Sequence, residues 1–491
     1  MHTGLQECPF IQLRMENAER QRICYNLCMN YMHLFLKACF LLPSLACLIA
    51  GLPQECHAAL IIDQYYTGNA VLQQGVALPV SGTAASNATV TVSMAGATAS
   101  ATADEKGRWR VALPPQKAGG PFEMSVTDGT LTLTATNVMV GEVWLVSGQS
   151  NAYFPIERFA EKAEWLKDAD YPKIRFIMAT KAHLAWHLKP DSWRVATSQT
   201  IEKCSATGFF FAKELQPAVD VPVGVVVAAV DGSVIASWQT DGNNFRDYME
   251  NALEPLIPFP VKGVIWYQGE SDGMFAKGYD YRFQLQKLIR DWRARWNAPE
   301  MPFLVAQLPY FKAYDLWHEV RDSQNWVAAH EKGVHVVPTL DIGDLNNIHP
   351  PRKPELGRRL SVFARKYVYG ETGLHPEGPV FRSAEVNPEN PGEMLVHFDT
   401  HAPIASSDGQ PLKGFKVGGK MFGRLSFQTA TVRIVDSNTV AVSSANVKEP
   451  IAVRYGFSNS DTVNFFDAEG NPAGAFRSDN FKLPTQPAEA H

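Results

Sequence analysis

Four short stretches of this chain hold a hydroxyl, an imidazole and a set of hydrogen-bond donors. They are Gly148-Gln-Ser150-Asn151, Asp231-Gly232-Ser233, Gln268-Gly-Glu270-Ser-Asp272 and Asp341-Ile-Gly-Asp344-Leu-Asn346-Asn347-Ile348-His349-Pro350. Each follows an apolar run that reads as a strand. In an open parallel sheet, ligands sit beyond the carboxyl ends of the strands, so such loops share one rim. A serine hydroxyl is a weak nucleophile until a base takes its proton. Histidine is the usual base, because its pKa lies near neutrality. Ser150 and His349 fit those roles. The developing oxyanion needs preorganised donors, and the Ser150 N–H, the Gly232 N–H and the Gln268 side-chain NH₂ can supply three. Together these are the parts that acyl transfer uses.

Each residue also has a plainer reading. Ser150 can be a helix N-cap after a strand. His349-Pro350 can simply lead into the helix at Pro354. Glu270 can be a general acid, a sugar ligand or a buried carboxylate that positions its neighbours, and Asn151 sits beside the nucleophile as a positioning or substrate-binding amide. Asp341 and Asp344 can cap their loop. Trp144, Trp266 and Tyr267 can stack on a sugar ring or fill the core. Gly148-x-Ser150-x-Ala152 approaches the α/β-hydrolase elbow but lacks its second glycine.

The elements that must position these loops alternate in type. Strand-like runs at Val143–Ser147, Val223–Val230, Val264–Tyr267, Phe303–Leu308 and Val334–Leu340 are separated by helix-like stretches at Thr207–Gln216, Asn244–Ile257, Tyr279–Trp296, Arg321–Glu331 and Pro354–Tyr369. Continuous apolar strands divided by helices argue for a parallel sheet covered on both faces. The division expected is a β-sandwich over residues 60–137, an α/β domain that carries the four loops over 138–372 and a β-rich region over 373–485. The sandwich expectation rests on period-two runs such as Ala88–Met94 and on the Asp128-Gly129 hairpin signal. Met394–Phe398, Thr431–Val435, Thr439–Ser443 and Ile451–Tyr455 read as strands that form their own module or pair with the N-terminal ones.

Composition narrows the partners. Hydrophobic residues make up 45%, charged residues 19%, and the formal net charge is −5. That balance speaks against a nucleic-acid binder, which shows a basic excess or stripe. Lys37 precedes an apolar run, Ala38–Leu52, and Cys56-His57-Ala58 follows, which reads as a cleaved signal peptide within residues 1–58. Met29 or Met32 is the expected true start. Ser44-Leu-Ala-Cys47 only faintly resembles a lipoprotein site. The mature chain is then secreted or periplasmic, without stable membrane insertion after cleavage, and carries one thiol, Cys204. Cys24 and Cys28 lack a second pair of metal ligands.

Three blocks, Val143-Trp-Leu-Val-Ser-Gly-Gln-Ser-Asn151, Trp266-Tyr-Gln-Gly-Glu-Ser-Asp272 and Asp341…Ile348-His349-Pro350, together resemble the sialate O-acetylesterase family of SGNH-type hydrolases. The likeness extends to Val71-Leu-Gln-Gln74, Val453-Arg-Tyr455 and Ala473–Ser478. The resemblance implies an α/β fold, flavodoxin-like with three α/β/α layers, flanked by β-rich regions. It implies Ser150 as nucleophile, His349 as general base, and Gly232 and Gln268 as oxyanion partners. It implies an acetylated sugar or glycan as substrate, sialic acid or a plant polysaccharide, and no cofactor or metal. The chain departs from the family pattern in three places. Asp231-Gly232-Ser233 stands where Gly-Gly-Thr is usual, Ala152 replaces a methionine, and Asn346 replaces the aspartate three residues before the histidine. Asn346 or Asp344 assisting a Ser–His dyad is therefore the expected arrangement. The rival from another class is a carbohydrate-binding protein on an inactive hydrolase scaffold.

Overall fold

The computed structural model describes residues 59–167, 169–179, 192–239, 248–312, 316–458 and 462–488. The expected leader, 1–58, lies outside them. Seven strands form the centre: β1 (Thr132–Gly148), β2 (Asp170–Met178), β3 (Arg194–Thr197), β4 (Val223–Ala229), β5 (Gly263–Tyr267), β6 (Phe303–Ala306) and β7 (Val334–Val337). Their order is β3-β2-β4-β1-β5-β6-β7, parallel throughout except for β3. Every residue of β4, β5 and β6 is buried, as expected of strands covered on both faces. The chain fills the sheet on one side of β1 and then crosses to the other at β5. The order of strands therefore reverses at β1, where such sheets place their ligands.

The register at that reversal decides where the loops emerge. Gly148 pairs with Ala229 of β4 on one side and with Tyr267 of β5 on the other. Three neighbouring strands thus end level, and their loops leave side by side. Gly148 is required there: its φ is +129°, and a Cβ would lie 2.1 Å from the Tyr267 carbonyl oxygen.

The helices that bear on the site and its supports are α1 (Ser150–Tyr153), α2 (Ala206–Val219), α3 (Glu270–Met274), α4 (Tyr281–Arg295), α5 (Trp317–His330) and α6 (Lys353–Tyr367). Four of the five expected helices are present within a few residues. The fifth, 244–257, is described only from 248, where a five-residue π turn, Met249–Leu253, replaces it. α2 packs on α6, and α4 packs on α5. Ser205 caps α2 by accepting from the Gly208 N–H at 3.0 Å.

β1 runs for 17 residues. Its first half pairs with Gly119–Thr127 and with Val71–Gln73, and its second half is the middle of the parallel sheet. The expected boundary at residue 138 therefore falls inside one strand. Strands β2 and β3 were not expected; Pro172 and Arg175 break up the apolar run of β2. At the other end, no described strand after residue 373 pairs with an N-terminal strand. These strands bury their own core, which includes Phe398, Phe415, Tyr455, Phe465 and Phe476. Fully buried Arg321 of α5 ties this region down by donating to the carbonyls of Gly456 (2.9 Å) and Ser458 (2.8 Å).

The outlying motifs prove to be braces. Val143 N–H donates to Gln73 Oε1 at 2.8 Å, and Gln74 Nε2 donates to Glu142 at 2.6 Å, clamping β1. Arg454 grips Asp479 through two bonds of 2.7 Å, next to the pairing of Tyr455 with Phe476. Trp144 and Trp266 are fully buried, each donating its indole N–H to a tyrosine hydroxyl, and belong to the core. Among the described residues no helix is long and apolar enough to cross a membrane.

Candidate active site

Ser150 is the first residue of α1, directly beyond the β1 rim, and is 7% exposed. The first N–H groups of a helix have no acceptor within it, so the Ser150 N–H points out of the turn. Thr207 and Ser205 of the α2 start hold this turn by donating to the carbonyls of Asn151 (2.8 Å) and Ala152 (2.5 Å).

His349 comes to the same turn from the loop after β7. Its imidazole stacks on the Phe154 ring, centroids 4.0 Å apart, and the Phe154 N–H in turn donates to the Ser150 carbonyl at 2.7 Å. Asn151 Nδ2 donates to the Ile348 carbonyl at 2.9 Å. The residues just after Ser150 thus hold the residues at and just before His349. His349 Nε2 is buried and makes no hydrogen bond. Burial, and then the charges of Lys353 and Arg158, push the His349 pKa down to about 4. The imidazole is therefore neutral at ordinary pH and able to accept a proton. Among the described residues no hydrogen bond joins it to Ser150.

The Asp231-Gly232-Ser233 turn is locked beside them. Val230 N–H and Ser233 Oγ both donate to the Gly148 carbonyl, at 3.1 and 3.3 Å, and Trp238 Nε1 donates to Ser233 Oγ at 3.0 Å. Gly232 itself is exposed, with φ +66° and open space where a side chain would be.

Gln268 behaves differently from the expectation. It is completely buried, and its Nε2 is committed to Asp272 Oδ2 (2.6 Å), the Ser233 carbonyl (3.0 Å) and Gln149 Oε1 (3.2 Å). An amide nitrogen has two hydrogens, so none is left for an oxyanion. Gln268 braces the loops rather than facing the cleft. Gln149 does the same from the other side, accepting from Gln268 and from the Ser271 N–H at 3.2 Å.

The expected helpers of His349 also divide. Asp344 Oδ1 accepts from the N–H groups of Asn346 (2.8 Å) and Asn347 (3.1 Å), and Asn347 Oδ1 accepts from the His349 N–H at 2.9 Å. Asn346 is exposed. No described hydrogen bond brings Asn346 or Asp344 to the imidazole. Asp341 is committed elsewhere, in a two-bond pair with Arg359 at 2.7 and 2.6 Å.

Beneath the site lies a network that sequence reasoning found only in part. Glu270 and Asn151 are buried, and Asn151 Nδ2 donates to Glu270 Oε1 at 2.7 Å. The missing member is Lys353, 1% exposed, whose ammonium donates to Asn151 Oδ1 at 2.6 Å and lies 4.9 Å from the Tyr267 ring centre. Desolvation raises the Glu270 pKa and lowers that of Lys353, while each charge partly offsets the shift of the other. Nothing in the sequence distinguishes Lys353 from a solvated lysine at a helix start. Glu270 Oε2 has no partner. Arg158 lies 5.6 Å from the Phe154 ring centre, on the ring that carries His349. Desolvation raises the Asp231 carboxyl, and Arg158 opposes that shift. Among the described residues no cluster of three or more His, Cys, Asp or Glu is arranged to hold a metal ion.

Residues 140–365 match the family described as carbohydrate esterase, sialic acid-specific acetylesterase. A carbohydrate acetylesterase from Xanthomonas citri shares 32% identity and a TM-score of 0.79, over 86% of this chain and 100% of that one. The sialate O-acetylesterases of Homo sapiens and Pongo abelii are each 26% identical over 334 residues. The match takes in 57% of this chain and 64% of those relatives' length.

Proposed function

We propose that this chain, which belongs to the sialic acid-specific acetylesterase family of carbohydrate esterases, hydrolyses O-acetyl esters on sugars with Ser150 as nucleophile and His349 as base. The supporting observation is the double hold of the nucleophile turn on the base loop, Asn151 on Ile348 and Phe154 on His349. His349 Nε2 takes the Ser150 proton as the oxygen attacks the acetyl carbonyl. The N–H groups of Ser150 and Gly232 meet the oxyanion, each such donor being worth about 2.7–4 kcal/mol. The sugar hydroxyl leaves with the proton from His349, and water then repeats the cycle on the acetyl-serine. Asp344 and Asn347 shape the loop, so the pair works as a dyad, with Asn346 at its margin.

On this reading the parallel sheet and its helices form an SGNH-type, flavodoxin-like α/β/α layer structure flanked by a β-sandwich and a β-rich C-terminal region. The chain is exported through its N-terminal leader. Arg158, beside the base, favours a sialic acid, whose carboxylate an arginine can bind. A second reading, a neutral polysaccharide acetyl ester, is favoured by Asp231, a carboxyl group within electrostatic reach of Arg158 that would repel a substrate carboxylate.

Turnover of 4-nitrophenyl acetate tests the chemistry. Ser150→Ala and His349→Ala should each lose about 10⁴-fold or more. An inactive wild-type protein that still binds glycans would establish the binding-module rival instead. Profiling on O-acetylated sialic acids against acetylated xylan then separates the two substrates.

A further inference from the structure

Lys353 stands where a helix gains nothing from it. It is the first residue of α6, next to a helix N-terminus that disfavours cations, and it is 1% exposed. A buried charge is retained only where partners compensate it. Its partner is not the nearby carboxylate directly: among the described residues no Lys353–Glu270 ion pair lies within 4.0 Å. Between them stands the Asn151 amide, accepting from Lys353 at one end and donating to Glu270 at the other.

An amide has two chemically different ends, so its neighbours determine which way it faces. Lys353 has only donors and demands the oxygen. Nδ2 is then turned toward Glu270 Oε1 and the Ile348 carbonyl, and its two hydrogens meet two acceptors. The reverse orientation would set NH₂ against ammonium and an oxygen against two acceptors. We propose that Lys353 is a positioning residue: it fixes the orientation of Asn151, and through Asn151 it holds the His349 loop over the Ser150 turn. This rests on the hydrolytic reading above.

The charges facing His349 are Lys353 from α6 and Arg158 from the segment after α1. Glu270 lies behind Asn151, and Asp231 is within electrostatic reach of Arg158. Both cations oppose protonation of the imidazole, so removing Lys353 moves the acid limb of the pH profile upward. That shift reports the loss of the Lys353 charge, so the positioning role is read from kcat against KM and from the double variant.

The test is steady-state kinetics on Lys353→Met, Asn151→Ala and their double variant, with Ser150→Ala alongside and folding checked by thermal melting. Lys353→Met should lower kcat about 10²-fold, the size of effect that a small misplacement of reacting groups produces, with little change in KM and a raised acid limb. The double variant should lose no more than the worse single one, because both break the same link. Losses that multiply, or a wild-type kcat and pH limb in folded Lys353→Met, would overturn the proposal while Ser150→Ala stays inactive. Activity in Ser150→Ala would overturn the reading of the site, and this proposal with it. If Lys353→Met does not fold, Asn151→Asp carries the test, since it keeps an acceptor for Lys353 but sets an oxygen against the Ile348 carbonyl. Folded Asn151→Asp should show the same loss in kcat, and a wild-type value there would overturn the proposal.

Discussion

The loop from Asp341 to His349 is fastened at its two ends by two unlike cation–carboxylate arrangements. At the start, Arg359 meets Asp341 through two bonds of 2.7 and 2.6 Å, and two of its other donors reach Glu355 and the Pro338 carbonyl. At the finish, Lys353 and Glu270 are kept apart by Asn151, and both Glu270 Oε2 and His349 Nε2 are left without partners. Buried polar atoms are nearly always paired. A satisfied pair suits an anchor, whereas unpaired atoms beside the proposed nucleophile are what chemistry needs. The contrast separates the anchor of the loop from its working end.

Arg359→Met is the harshest way to break this contrast. It leaves Asp341 buried with no partner charge and should cost about 3–5 kcal/mol of stability in denaturant melts. Activity per folded molecule should fall less than it does in Lys353→Met. Equal kinetic damage from both would mean that the two ends are not distinct.

The pH profile sharpens the comparison next. The His349 pKa is lowered to about 4, below the ordinary 6.5, so the imidazole stays neutral as pH falls from neutrality and is protonated only near pH 4. The acid limb of kcat/KM should therefore lie well below 6.5. A limb at 6.5 would show that burial and the two cations do not act on this imidazole.

The smallest effects belong to the middle of the loop. Asp344→Ala removes a cap for two N–H groups and should cost about 1 kcal/mol. Asn346→Ala, at an exposed position, should leave a measurable share of the activity. An inactive but folded Asn346→Ala would argue against a dyad.

How much of this was legible in the sequence depended on whether a residue's task was local. The strand ends and the small rim loops follow from apolar runs broken by Gly and Asp, and these placed Ser150, Gly232 and His349 on one edge. Strand β2 was hidden because Arg175, a buried arginine, interrupts its apolar pattern. Gln268 was given to the cleft because a glutamine after a strand can point either way, and only the packing of Asp272 and Gln149 shows that it points inward. Lys353 was missed for the same reason: burial is a property of the fold, and a charged residue at a helix start reads as solvated. Asn151 and Glu270 were named as candidates from the sequence, and the fold joins them by a hydrogen bond. The link from Asn151 to α6 spans 202 residues, and nothing in one dimension marks it.

One further consequence follows from the length of β1. The same backbone that pairs with Gly119–Thr127 continues, without a break, to the glycine that precedes the Ser150 turn. The N-terminal strands are therefore not cargo that could be trimmed away. Deleting them would strip the partners from the first half of this strand, fray it from its beginning, and loosen the register that levels Gly148 with Ala229 and Tyr267. Evolution and protein engineers alike are left free to vary the loops at the far rim, but must carry the two regions together.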